Sequence, residues 1–157
     1  MPDQLHAFIE IPKGGRNKYE YDEQLQAVVL DRFLASSTVY PLDAMVCVSE
    51  PTFPGCVIPV KPIALFKMHD DKGEDDKIVC VPMNDPGWNH AEVLEDIPQN
   101  LQREIEHFFS IYKQLEGKQV DVQGWRSREE ALEVIADGRR LEQEHKRGPE
   151  PSDARDG

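Results

Sequence analysis

The chain has 157 residues, enough for one domain with a proper core. Its formal net charge of −12 and sequence pI near 4.8 argue against nucleic acid or an anionic membrane as the main partner. The three cysteines are odd in number and lack C-x-x-C spacing, and Cys47 and Cys80 lie in apolar runs, so buried free thiols in a reducing compartment are expected.

The first half reads as strands. "LHAFIEIP" leads into a Lys-Gly-Gly-Arg-Asn turn, and "KYEYDEQLQAVVLDRFL" alternates polar and apolar residues on both sides of an Asp-Glu-Gln bend. "AMVCVSE", "GCVIPVKPIALFKM" and "KIVCVP" are β-rich runs with Pro and Gly punctuation. Pro51, Pro54, Pro59 and Pro62 suit an edge or barrel corner better than a central strand. In "IPQNLQREIEHFFSIYKQLEG", Leu101, Ile105, Phe108, Tyr112 and Leu115 fall at helical spacing, with Gly117 as the stop. "VDVQGW" predicts one more strand, and "SREEALEVIADGRRLEQ" a second helix, with Ser127 as N-cap and Glu130 completing a capping box. We expect one domain over residues 1–147 and a disordered polar tail over 148–157. Strands first and helices last predict an α+β, mainly β fold: a small closed β-barrel with two C-terminal helices packed outside. The start, "MPDQLHAFIEIP", shows no basic region followed by an apolar run, and no stretch reaches transmembrane length. A cytoplasmic setting is expected.

The densest chemistry lies in "MHDDKGEDDKIVCVP", where Asp70, Asp71, Glu74, Asp75 and Asp76 crowd the start of a buried-looking strand. A calcium EF-hand loop counted from Asp70 needs glycine at its sixth position, but Gly73 falls fourth, so that reading fails. A solvated hairpin loop and a magnesium site remain open. Elsewhere, Lys18 and Glu20 are two apart and share a strand face, near Glu10 on a neighbouring strand. Arg32 sits between apolar neighbours, and Tyr112 with Lys113 on a predicted helix. Together these are acids for metal and cations for phosphate oxygens.

In "IEIPKGGRNKYEYD", "LDRFLASSTVYP", "ALFKMHDDKGEDDKIVCVP", "DPGWNHAEVLEDIP", "HFFSIYKQLEGK" and "VQGW", taken in this order, the chain resembles the soluble (family I) inorganic pyrophosphatases of bacteria. The resemblance implies an OB-like barrel and Mg²⁺-dependent hydrolysis of pyrophosphate, with several ions per site. It implies Lys18, Glu20, Arg32, Lys77, Tyr112 and Lys113 as catalytic residues. All of these except Glu20 would bind the substrate. Asp43, Asp70, Asp75 and Glu10 would serve the metals, whereas Asp71, Glu74 and Asp76 have no family counterpart and read as solvated loop. It also implies a homo-oligomer, with hexamers among the family's bacterial members. The chain departs from the family at its signature, Asp-Gly-Asp-Pro-Leu-Asp preceded by a Tyr-Gly-Phe-Ile-Pro strand: here Tyr40-Pro41 joins directly to Leu42-Asp43. Two signature aspartates are therefore missing, which predicts weakened catalysis. The alternative is a non-catalytic relative that binds Mg²⁺, phosphate or sibling subunits. An oligonucleotide-binding barrel ranks last, because it needs a basic groove.

Overall fold

The computed structural model describes residues 5–11, 17–22, 27–33, 42–114 and 117–147. Among the described residues, eight strands and two long helices follow one another as β1 (Leu5–Phe8), β2 (Asn17–Asp22), β3 (Ala27–Phe33), β4 (Ala44–Val46), β5 (Val57–Asp70), β6 (Gly73–Glu74), β7 (Lys77–Pro82), α1 (Gln99–Ile111), β8 (Asp121–Arg126) and α2 (Arg128–Arg147). A short 3-10 turn at Leu94–Asp96 precedes α1. The mainly β, α+β class with two late helices is the one expected. The Lys-Gly-Gly-Arg-Asn turn, the Asp-Glu-Gln bend, the Tyr40-Pro41 side of the shortened signature, Leu115 and the tail lie wholly or mostly outside the described residues.

β5 organises the main sheet. It pairs with β1, β7, β6 and β8, and β7 in turn pairs in parallel with β4. β2 and β3 form a separate antiparallel pair. The proline-rich run is thus a central strand, contrary to the edge or corner expected from it. Two features accommodate its prolines. Pro59 lies where β1 is the ladder partner, and Pro62 adjoins a register shift against β7 between Pro62 and Ala64. A bulge is one of the few places a sheet tolerates proline.

Side-chain alternation gives the sheet two apolar faces. On the front, Ile63, Phe66, Met68, Val79 and Val81 pack under Leu101, Ile105 and Phe109 of α1. On the back, Val60, Leu65, Ile78 and Cys80 pack under Ala131, Val134 and Ile135 of α2. Serving both faces, β7 is buried at every one of its six residues. α2 starts as predicted: the Ser127 amide donates to Glu130 Oε2 at 3.1 Å, and the Glu130 amide donates to Ser127 Oγ at 3.3 Å. α1 ends earlier than predicted. Tyr112 is its C-cap, donating its amide to Phe108 O at 3.0 Å, so Tyr112 and Lys113 sit on the turn beyond the helix. Gly117, at φ 69°, lies in a left-handed turn further on.

Phe66 anchors the front face. It is fully buried, with its ring 5.4 Å from Phe109 and 5.1 Å, edge-on, from Trp125. Phe66→Ala is expected to cost about 3–5 kcal/mol in a urea unfolding titration. The cysteines are all free. Burial, with Cys47 nearby, pushes the Cys80 thiol up to about 12, so Cys80 stays a neutral thiol at pH 8. Alkylation of the native protein at pH 8, read by peptide mass spectrometry, is expected to label the half-buried Cys56 and spare Cys80 until urea is added.

Candidate active site

The hairpin that carries the acidic run closes tightly. Asp70 pairs with Gly73, whose φ of 117° turns the chain, and Asp70 Oδ1 accepts the Lys72 amide at 2.8 Å. Asp75 then hands the chain to β7, its amide donating to Met68 O at 2.9 Å. Because side chains alternate, Asp75 and Lys77 share the front face with Val79, whereas Asp76 points to the back. There Asp76 is only 11% exposed and meets Lys67 at 3.3 Å, and its Oδ1 is buried without a partner. The solvated-loop reading therefore holds for the open Asp71 and Glu74 but is wrong for Asp76.

On the front, two lysines and three aspartates link up. Lys77 Nζ donates to Asp75 Oδ1 and, at 3.0 Å, to Asp43 Oδ2. Lys113 Nζ donates to Asp70 Oδ2 at 2.5 Å and lies 3.9 Å from Asp75 Oδ2. Asp43 enters from the start of β4, where its carbonyl accepts the Ile78 amide at 2.9 Å. It is the most open member, 47% exposed. The floor is aromatic: Lys77 Nζ stands 6.0 Å from the Phe109 ring centroid, and Lys113 Nζ 5.4 Å from that of Tyr112. Beside Asp70 opens a cleft of about 440 Å³ lined by His69, Asp70, Asp71, Gln119, Val120 and Asp121.

Both lysines stay charged. Burial opposes the Lys77 ammonium, but Asp43 and Asp75 outweigh it and hold the group above its usual value. Lys113 is likewise opposed by burial yet raised to about 12, with Asp70 and Tyr112 as partners. Asp70 is held below the usual carboxylate range, since Lys113 and the Lys72 amide outweigh its desolvation. Burial pushes the Tyr112 phenol up, so it remains a proton-bearing donor at neutral pH. The cluster therefore offers two fixed cations and a phenol to an anion, and carboxylate oxygens to a hard cation.

Of the predicted residues, the structure brings together Asp43, Asp70, Asp75, Lys77, Tyr112 and Lys113. Glu10 lies in the bend after β1, half-buried, rather than on a strand. For Lys18, Glu20 and Arg32 the described residues fix only the register. Lys18 stands opposite Arg32 and Glu20 opposite Val29, with a bulge between Lys18 and Tyr19. Phe109, which floors the site, was not singled out in the sequence: the expected helical stripe ran through Phe108, which is exposed, whereas Phe109 packs on the core.

The donor set fits magnesium. It is all carboxylate, and the Lys77 ammonium between Asp43 and Asp75 marks a space that accepts positive charge. Among the described residues no three acids, histidines or cysteines form a cage. Magnesium seldom needs one, since it keeps waters and binds through one or two carboxylates plus substrate oxygens.

Comparison with known proteins supplies a frame for this geometry. The family model described as inorganic pyrophosphatase matches residues 7–43 and 40–142, its two segments meeting at the shortened signature. An inorganic pyrophosphatase of Methanosarcina acetivorans is 50% identical over 147 residues, covering 83% of this chain and 88% of that one. The crystal structure of the inorganic pyrophosphatase from Thermus thermophilus superposes with a TM-score of 0.73 at 39% identity, covering 84% of this chain and 87% of that one. The Helicobacter pylori inorganic pyrophosphatase gives a TM-score of 0.80 at 29% identity, with coverage of 90% and 94%.

Coupling between Asp70 and Lys113 is open to a double-mutant cycle. Asp70→Ala and Lys113→Met each leave one charge without its main partner, whereas Asp70→Ala/Lys113→Met removes both. The interaction energy from denaturant midpoints is expected to be about 1–3 kcal/mol.

Proposed function

The chain belongs to the inorganic pyrophosphatase family and hydrolyses pyrophosphate to two phosphates; we propose that it does so with magnesium ions held by Asp43, Asp70 and Asp75. The observation that carries this reading is the Asp43–Lys77–Asp75 and Asp70–Lys113 cluster, in which acids and cations share one face of the sheet that opens to solvent at Asp43.

The chemistry a bound magnesium supplies is neutralisation of the substrate's oxygens and a water that is acidic near neutral pH. The chain's own residues do the rest. Lys77 and Lys113 are permanent cations that can leave their carboxylates for phosphate oxygens and stabilise charge on the departing phosphate. Tyr112 donates its phenolic proton as a hydrogen bond to the same oxygens. The aromatic floor of Phe109 and Tyr112 excludes water beneath them, which strengthens each of these interactions. We place Lys18, Glu20 and Arg32 in the same site and Glu10 on its metal side. The pairing of Lys18 with Arg32, two cations at one rung of the hairpin, supports this.

We further infer one domain over residues 1–147 with a tail over 148–157, working in the cytoplasm as a homo-oligomer, a hexamer being the form the resemblance suggests. No helix among the described residues is long and apolar enough to cross a membrane. Phe108 and Ile111, exposed on α1, offer a surface a sibling chain would cover.

Phosphate release from pyrophosphate with Mg²⁺ tests the reading. Lys77→Ala and Asp75→Ala are each expected to lower kcat by about 100-fold or more while circular dichroism reports a retained fold. The split at residues 40–43 predicts a parent rate below that of family members with the full signature. No release at all from folded parent would instead favour the non-catalytic relative.

A further inference from the structure

A glycine inside a helix is unfavourable relative to alanine, so Gly138 in the body of α2 calls for a reason. The backbone supplies none, since Gly138 is not among the glycines with positive φ. Space does. A Cβ at this position would stand 2.9 Å from Leu42 Cδ1, 3.2 Å from Leu42 Cγ and 3.4 Å from Leu42 Cδ2. Leu42 seats its whole branched end on the bare Cα of the helix.

Leu42 immediately precedes Asp43, and the alternation of β4 divides their tasks. Val46 packs with the back cluster under α2, and Met45 and Cys47 with the front cluster under α1. In that register Leu42 falls on the α2 side and Asp43 on the side of the site. β4 is only three residues long, and β7 is its single ladder partner among the described residues. The β7 ladder, the Ile78 amide on Asp43 O and the Lys77 pair hold this short strand from the front, and the Leu42 seat holds its entry from the α2 side.

We propose that Gly138 is a positioning residue for the hydrolytic site: by leaving room for Leu42 it sets the height of Asp43 against Lys77 and β7 from the opposite face of the sheet. An added methyl at 138 meets the branched end of Leu42, with Cγ within 3.2 Å, so Leu42 has to shift, by side-chain rotation or by displacement of its backbone. A backbone displacement carries Asp43 with it, and hydrogen exchange at the amide bonded to Asp43 reads it. Gly138 bears on catalysis only on the reading that Asp43 serves the site, so the test needs a measurement independent of turnover.

That measurement is hydrogen exchange at the Ile78 amide, which donates to Asp43 O at 2.9 Å, with the Met83 amide, bonded to Pro59 O, as control. In full-length Gly138→Ala, the thermal midpoint is expected to fall by at most a few degrees, because the helix preference of alanine offsets part of the overpacking against Leu42. Ile78 is expected to exchange about 10-fold faster with Met83 unchanged. The Mg²⁺ concentration for half-maximal phosphate release is expected to rise about 10-fold. Leu42→Ala, which removes Cγ as well as both methyls, is expected to bring both back toward the parent values in the Gly138→Ala background. Unchanged exchange and unchanged Mg²⁺ requirement would overturn the proposal, as would losses that merely follow a larger fall in the thermal midpoint, or a Mg²⁺ requirement that ignores faster exchange at Ile78. If the parent itself released no phosphate, the functional reading would fall. Exchange at Ile78 and Mg²⁺ binding by calorimetry would then still decide whether Gly138 sets Asp43.

Discussion

Burying the Lys77 ammonium is the constraint from which the rest of the site follows. It is the single charged residue classed as buried among those described, on a strand otherwise made of apolar side chains and proline. An ammonium so placed is tolerable only if carboxylates compensate it. Asp75 does so from two residues upstream, and Asp43 from the neighbouring parallel strand. The pair therefore specifies more than charge. It ties β4 to β7 at one register, because a slip of one residue would turn Asp43 to the wrong face. What compensates the lysine also arranges carboxylates and a cation around the place we propose for a diphosphate and its metals.

The two-faced sheet separates chemistry from support. α1 and the aromatic trio of Phe66, Phe109 and Trp125 underlie the reactive front, and α2 braces the back. Short strands join the two: each residue on the front has sequence neighbours committed to the rear, as Asp75 and Lys77 flank the rear-facing Asp76. Packing behind the sheet thereby sets positions in front of it without any direct contact.

Local signals in the chain were read well, and partner choice was not. Alternation disclosed β2 and β3, a β-branched run disclosed β7, and the Ser127/Glu130 box marked the start of α2, because each rests on residues adjacent in sequence. The prolines of β5 misled because their cost depends on which ladder a strand joins and where it bulges, which is a tertiary matter. Asp76 misled for a similar reason. Five acids in seven residues look alike until strand alternation sends one of them under the sheet toward Lys67. Tyr112 and Lys113 were expected on a helix that in fact stops just short of them. Nothing near position 42 or 138 in sequence betrays that they touch.

Lys77 finds Asp43 across 34 positions of sequence and Lys113 finds Asp70 across 43. Such closures carry an entropic cost that no local turn offsets, so they are met only once the intervening strands have paired. A ribosome-bound chain that has not yet released residue 113 holds no complete anion cradle. The cluster therefore closes only once the segment bearing Lys113 has joined strands made well before it.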